Sequence, residues 1–357
     1  MILAIAAAGE DANSWVQLLE KLYVLPNNDR EELLAQFERI LTSNSWNSEA
    51  QYSVWEMITS EASRHEKYSK SPWAMPAADV STLQRLALKI APIKDARRFS
   101  NLFDWSSQIP YVEDDLPTDE SSLKKLQIEA IEQVLSQEKS ELVSLVDNVK
   151  MPATIGILLA EIDDVPEGII FEWLTSDSIK LKQASFGYIR SKSINKGFEW
   201  ILDVLNSSEL QITNRRLALM SALPFSREFW TEVDQLDSEL VAAYWKEARP
   251  FSTNLDESIE AIHLLVAHDR AWQAIALLNF ALHGLETDLC NEVKSVLNAL
   301  INTNESIEDP SMAGYYIEEA IKYLEKFAPD DPDLASFEFT FFEFLHDHEQ
   351  PLLYTKR

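Results

Sequence analysis

Apolar residues recur along this chain at helical spacing. Leu33, Leu34, Phe37, Ile40 and Leu41 fall at i, i+1, i+4, i+7 and i+8, one face of a helix that Asn28 or Asp29 would cap. Tyr52, Trp55, Ile58 and Ala62 continue the pattern in the next segment. Leu123, Leu126, Ile128, Ile131, Val134 and Leu135 repeat it between Asp119 and Lys139. Ile259, Ile262, Leu265 and Val266 follow Asn254, a candidate cap, and Trp272, Ile275, Leu278 and Leu282 follow Asp269. Tyr316, Ile317, Ala320, Ile321 and Leu324 make a further stripe. Alternating runs are scarce. The best one, Phe337 to Phe341, also fits a helix with Leu334, Phe344 and Leu345, and helix is the assignment adopted.

The breaks between stripes are short and polar: Leu25–Asn28, Thr42–Ser45, Asn206–Ser208, Asn302–Asn304 and Pro329–Pro332. Each carries Pro, Asn, Asp or Ser, which start turns or cap helices through local side-chain hydrogen bonds. Lys70–Asp79 and Gln108–Asp119 are longer and contain proline, so both read as irregular. The pattern predicts an N-terminal helical region over 1–108, a linker rich in proline and acids over 109–119, and an array of helical hairpins over 120–357. First helices of hairpins are expected near 153, 178, 209, 238, 270 and 313. Those intervals suit helical repeats, although no tetratricopeptide or ankyrin signature recurs. The expected fold is all-α with roughly eighteen to twenty helices. Its arrangement would be an α-solenoid-like stack of hairpins, a degenerate HEAT/TPR-like form, with an irregular helical bundle as the alternative.

Composition sharpens this picture. The chain has 357 residues, 46% of them hydrophobic and 25% charged, as in folded proteins. Glycine occurs only seven times. No G-x-x-x-x-G-K-[ST], G-x-G-x-x-G or G-x-S-x-G motif occurs, so nothing cradles phosphate or carries a nucleophile elbow, and no cofactor is expected. Cys290 is the single cysteine, which excludes an intrachain disulfide and a cysteine-based zinc site and suits a reducing cytoplasm. Met1 to Ala8 is a short apolar start without a positive leading segment, unlike a signal peptide, and no long apolar run follows.

Charge separates two ends of the sequence. The net charge is −28, yet residues 1–100 hold 13 acids against 11 bases. Residues 254–348 hold 19 acids and only Arg270, Lys294, Lys322 and Lys326. Such a balance disfavours nucleic acid and anionic membranes as partners; the acidic end reads as solvated helix faces kept soluble by charge, and otherwise as a surface that attracts a basic protein or binds cations.

Histidine is the remaining source of chemistry. His346, Asp347, His348 and Glu349 are dense enough to suggest a divalent-metal site, the basis of an alternative reading as a metal-dependent hydrolase. A polar helix end before Pro351 is the preferred explanation, and no metal site is assigned. His263 and His268 are five apart and do not share a helix face, while His268 and His283 read as helix-end groups, the latter before Gly284 as a left-handed stop. Asp114-Asp115 and Asp163-Asp164 read as loop residues. No nucleophile, base and orienting group come together, so no catalytic residue is assigned.

Ten tryptophans point to packing and to recognition. Trp55, Trp173, Trp200 and Trp272 lie on apolar faces and read as core. Trp73, between Pro72 and Pro76, reads either as a plug over a core edge or as an exposed anchor for a partner, and Tyr244-Trp245 is a candidate interface pair.

Several short features in order resemble the helical portion of large bacterial multidomain proteins of the STAND type. They are Arg64-His65 with Trp73–Pro76, Leu102–Asp104, Lys150–Pro152 before Gly156, Leu223–Phe225 before Trp230, and Tyr244-Trp245. That resemblance implies a C-terminal array of helical hairpins, which in several antiviral members senses a foreign protein. The nucleotide motifs of a complete member are missing, so the expectation is the array alone, as an excised fragment or a separate subunit. The expected function is a non-catalytic protein-binding module, acidic toward its C-terminus. The alternatives are the hydrolase above and a structural assembly subunit.

Overall fold

The computed structural model describes residues 8–43, 46–103, 120–247, 250, 255–284, 288–303, 305 and 310–342. Regular structure among them consists of eighteen α-helices and three 3-10 helices, with no strand, so the chain is all-α. None of the described helices is long and apolar enough to cross a membrane. Two compact units divide the chain, Met1–Ser191 and Lys192–Arg357. Segment 109–119 lies outside the described residues, and the first unit includes helices on both sides of it.

The first unit begins with α1 (Ala12–Glu20), the 3-10 turn Leu22–Val24, α2 (Asn27–Ser43), α3 (Ser48–Lys67) and α4 (Ala77–Ile90). Side-chain caps start two of them: Asp11 accepts from the Ser14 N–H, and Asn47 from the Ala50 N–H, both at 2.9 Å. Neither Asn28 nor Asp29 caps α2, because the helix begins earlier. The Pro26 carbonyl accepts from the Arg30 N–H, and Asp29 sits in the first turn, where a carboxylate suits the helix dipole. Trp15, Leu19, Leu33, Phe37, Val54, Ile58, Leu83 and Leu86 form a shared core as α1 packs on α3, α3 on α4 and α2 on α4.

A 3-10 segment, Ala96–Phe103, then packs on α5 (Glu120–Leu135) and α6 (Lys139–Asn148). The Glu141 carboxylate accepts from the Ala96 N–H at 3.0 Å, and the Leu102 carbonyl from the Gln127 side chain at 2.6 Å. These bonds join the sequence before the predicted linker to the helices after it. α7 (Pro152–Leu159), α8 (Glu167–Trp173) and α9 (Ile179–Lys196) follow. Gly156 of α7 and Gly187 of α9 let backbones touch: a Cβ on Gly156 would lie 1.8 Å from the Ala184 carbonyl oxygen, and one on Gly187 2.3 Å from that of Ala153.

The second unit contains α10 (Phe198–Asn206), the 3-10 turn Ser208–Leu210, α11 (Thr213–Ser221), α12 (Arg227–Val233), α13 (Ser238–Glu247), α14 (Leu255–Ala267), α15 (Ala271–Gly284), α16 (Cys290–Asn302), α17 (Pro310–Phe327) and α18 (Leu334–Thr340). Helices begin at Pro152, Ile179, Thr213, Ser238, Ala271 and Pro310, within a few residues of the predicted hairpin starts. The Phe337–Phe341 run is helical through Thr340, as assigned. α11 packs on α13, α14 on α15, and α15 on α16 and α17. Between α14 and α15 the chain turns through Asp269, whose φ of 57° is left-handed. Arg270 is buried there: its Nε donates to Glu305 at 2.6 Å, and its Nη1 donates to the Trp245 and Lys246 carbonyls. One guanidinium thereby holds the end of α13, the start of α15 and the segment after α16.

Candidate functional site

Trp73 stands on the loop between α3 and α4 and is 44% exposed. The loop is fixed around it. The Tyr68 carbonyl accepts from the Ser71 N–H at 2.8 Å, and the Ser71 carbonyl from the Ala74 N–H at 3.0 Å. Pro72 and Pro76 restrict φ on either side, and Pro76 leads into α4. Met75 is buried, and its backbone N–H donates to Nδ1 of the fully buried His65 at 3.0 Å. Because Nδ1 accepts, the neutral ring carries its proton on Nε2, which faces the Glu61 carboxylate at 3.4 Å. Burial, then the guanidinium groups of Arg64 and Arg30, hold the His65 pKa below its ordinary value. Burial also pushes the Glu61 carboxyl upward, outweighing the opposite pull of Arg64.

Trp73 does not stand alone. Tyr23, from the first 3-10 turn, and Arg64 and Tyr68, from the end of α3, line with it an open cleft of about 420 Å³. Tyr68 is 43% exposed, and its ring centroid lies 5.6 Å from that of Trp73. His65 meets the Trp73 ring edgewise at 5.3 Å. The Arg64 guanidinium sits among the rings, 5.1 Å from the Tyr23 centroid and 5.9 Å from that of Trp73. Its Nη2 donates to Glu61 at 2.6 Å, while Nε is shielded from solvent and makes no hydrogen bond. Buried Arg30 steadies the Tyr23 side: its Nη1 donates to the Leu25 carbonyl and its Nε to Asp79 of α4 at 2.8 Å. Rings held by buried bonds lose little freedom on binding, which is what a docking site requires.

The other predicted anchors behave differently. Tyr244 and Trp245 are 2% and 1% exposed, which corrects their reading as an interface pair. The Tyr244 hydroxyl donates to the Pro224 carbonyl at 2.8 Å, and the Trp245 indole N–H to Asp234 at 3.3 Å, so their polar ends are satisfied inside. Trp55 and Trp173 are buried as expected, and Trp200 and Trp272 partly so. His268 directly follows α14, at the helix end as expected, and stacks face to face on Trp245 at 4.4 Å. Gly284 is the last helical residue of α15, inside the helix and not just past its end. Asp164 does occupy a turn, with φ of 60°.

His346, His348 and Glu349 lie outside the described residues. Among the described residues no three His, Cys, Asp or Glu side chains gather where a metal ion could be held. Burial, and then a hydrogen bond to Asp288, push the Cys290 thiol up to about 11, so it stays protonated near neutrality and is a poor nucleophile. Sequence reasoning singled out Trp73 as a candidate but not Tyr23, Arg64 or Tyr68, which line the cleft with it. No spacing links position 23 to 64–73; only the packing of α1 on α3 brings them together. No protein-family model, curated protein or solved structure matches the chain.

Proposed function

We propose that this chain is a non-catalytic protein-binding module and that the Tyr23–Arg64–Tyr68–Trp73 cleft is its docking point. The observation that carries the reading is a half-exposed tryptophan on a loop whose backbone is held by a buried histidine. Exposed aromatics of this kind, beside an arginine, are the residues on which binding energy concentrates in protein interfaces. The resemblance to STAND-type helical arrays gives such binding a role, as the sensor part of a bacterial defence-type assembly working in the cytoplasm. Partner binding would then have to favour the active state of the assembly over the inactive one.

The second unit supports a further contact of opposite sign, with a basic protein. Its C-terminal cations are already engaged: Arg270 with Glu305, Lys294 with Asp331 and Asp333, and Lys322 with Glu318 and Glu319. The remaining carboxylates leave a negative field that speeds encounter with a cationic surface.

Affinity capture from bacterial lysate tests the reading. A protein retained by the wild type and lost with Trp73→Ser, while circular dichroism is unchanged, supports it. Identical retained sets for wild type and variant refute it.

A further inference from the structure

Resting on the protein-binding reading of the cleft, the geometry points to the chemistry of its ligand: an extended acidic peptide segment. A proline or aromatic residue would lie on Trp73 and Tyr68, and a carboxylate would turn onto Arg64. We infer this from three features.

The walls are flat apolar rings from Tyr23, Tyr68 and Trp73, and about 420 Å³ is room for two or three side chains. Extended proline-containing or aromatic segments use such surfaces because they bring little conformational entropy to lose. Next, the place that a ligand cation would take among these rings is already filled by the Arg64 guanidinium. A second cation would meet that charge at short range, so the cleft discriminates against lysine-rich and arginine-rich ligands.

The third feature is the state of the nearby charges. Arg64 has committed Nη2 to Glu61, while no hydrogen bond engages Nη1, and the side chain is 40% exposed. A planar guanidinium with a spare edge suits a carboxylate. Lys67 adds a second positive group, its ammonium 5.7 Å from the Tyr68 ring centroid. Of the neighbouring acids, Glu61 shares the charge of Arg64 and Glu20 is paired with Lys21, while Glu66 keeps its charge against the neutral side chain of Gln84. The preference for a carboxylate therefore rests on the open Nη1 edge of Arg64 and on Lys67, not on a net positive cleft. A nucleic acid strand would also offer anions and stacking, but it brings a phosphate at every step against that net charge.

Three blocked heptapeptides test the inference. One carries two glutamates flanking a Pro-Tyr pair, and its twins replace the glutamates by glutamine or by lysine. Isotope labelling of tryptophan gives indole signals for all ten residues, and the signal lost in Trp73→Phe reports the cleft. The acidic peptide is expected to shift that signal and to bind about tenfold more tightly than the glutamine twin, with the lysine twin weakest. Arg64→Gln should abolish the preference while leaving weak binding. Lys67→Gln, at an exposed position, should reduce it about threefold without disturbing the fold.

Equal or tighter binding of the glutamine or lysine twin overturns the acidic ligand and leaves the protein-binding reading standing. A thymidine hexamer that outcompetes the acidic peptide also overturns it. No shift with any peptide at about 1 mM, a concentration that detects even very weak binding, rejects this ligand class. The Trp73-dependent capture experiment then decides the broader reading by itself.

Discussion

Arg270 shows how much structure one side chain can hold. Its guanidinium is buried, paired with Glu305, and bonded to two backbone carbonyls. Arg270→Ala would leave that carboxylate and both carbonyls short of partners, at a cost of about 3 kcal/mol. Urea denaturation should show the loss as a lower midpoint with an unchanged slope. Two histidines give stability a pH dependence. Burial holds both His65 and His268 below the ordinary value of 6.5. The unfolded chain therefore takes up protons first, and stability falls as pH drops below about 6.5. Glu61 works in the other direction, because its raised pKa favours the native state as pH falls through that value toward 4.5. Melting curves between about pH 7.5 and pH 5.5 should show Tm declining, less steeply in His65→Gln.

Helices, in contrast to individual contacts, were written plainly in the spacing of apolar residues. The stripe from Leu33 to Leu41 lies within α2, and those after Asp269 and around Tyr316 lie within α15 and α17. Long amphipathic patterns carry their own address because the buried face repeats each turn. Helix starts were less legible: α2 begins at Asn27, right after Pro26, so Asn28 and Asp29 fall inside its first turn instead of capping it. Tyr244 and Trp245 were misread because adjacent residues usually point to different faces; α13 is wrapped closely enough to bury both. The cleft was legible only at Trp73, since the three-dimensional neighbours Tyr23 and Arg64 share no sequence pattern with it. At this same scale, Gly156→Ala places a methyl group inside the reach of the Ala184 carbonyl. A loss of about 3 kcal/mol or more is expected in chemical denaturation. Gly197→Ala meets no neighbour but must adopt φ of 74° and ψ of −175°, a region almost confined to glycine, so about 1–3 kcal/mol should be lost there.

Across the whole molecule, charge is the dominant property. A net −28 means that compaction works against self-repulsion, which dissolved salt screens over about 10 Å at 0.1 M. Raising sodium chloride from about 10 mM to about 0.5 M should therefore raise Tm. A Tm that falls over this range would mean that the ion pairs around Lys294 and Lys322 outweigh the repulsion.

The paired glycines of α7 and α9 have a consequence for which insertions and deletions the chain tolerates. Each residue added inside a helix rotates everything beyond it by about 100°, enough to swing a glycine out of the crossing and bring a bulkier neighbour in. A one-residue insertion between Ala153 and Gly156, or between Ala184 and Gly187, should therefore do far more damage than the same change in 161–165 or 174–178, where the chain turns between helices. Changes of length in this part of the protein are therefore expected to be tolerated only in its turns.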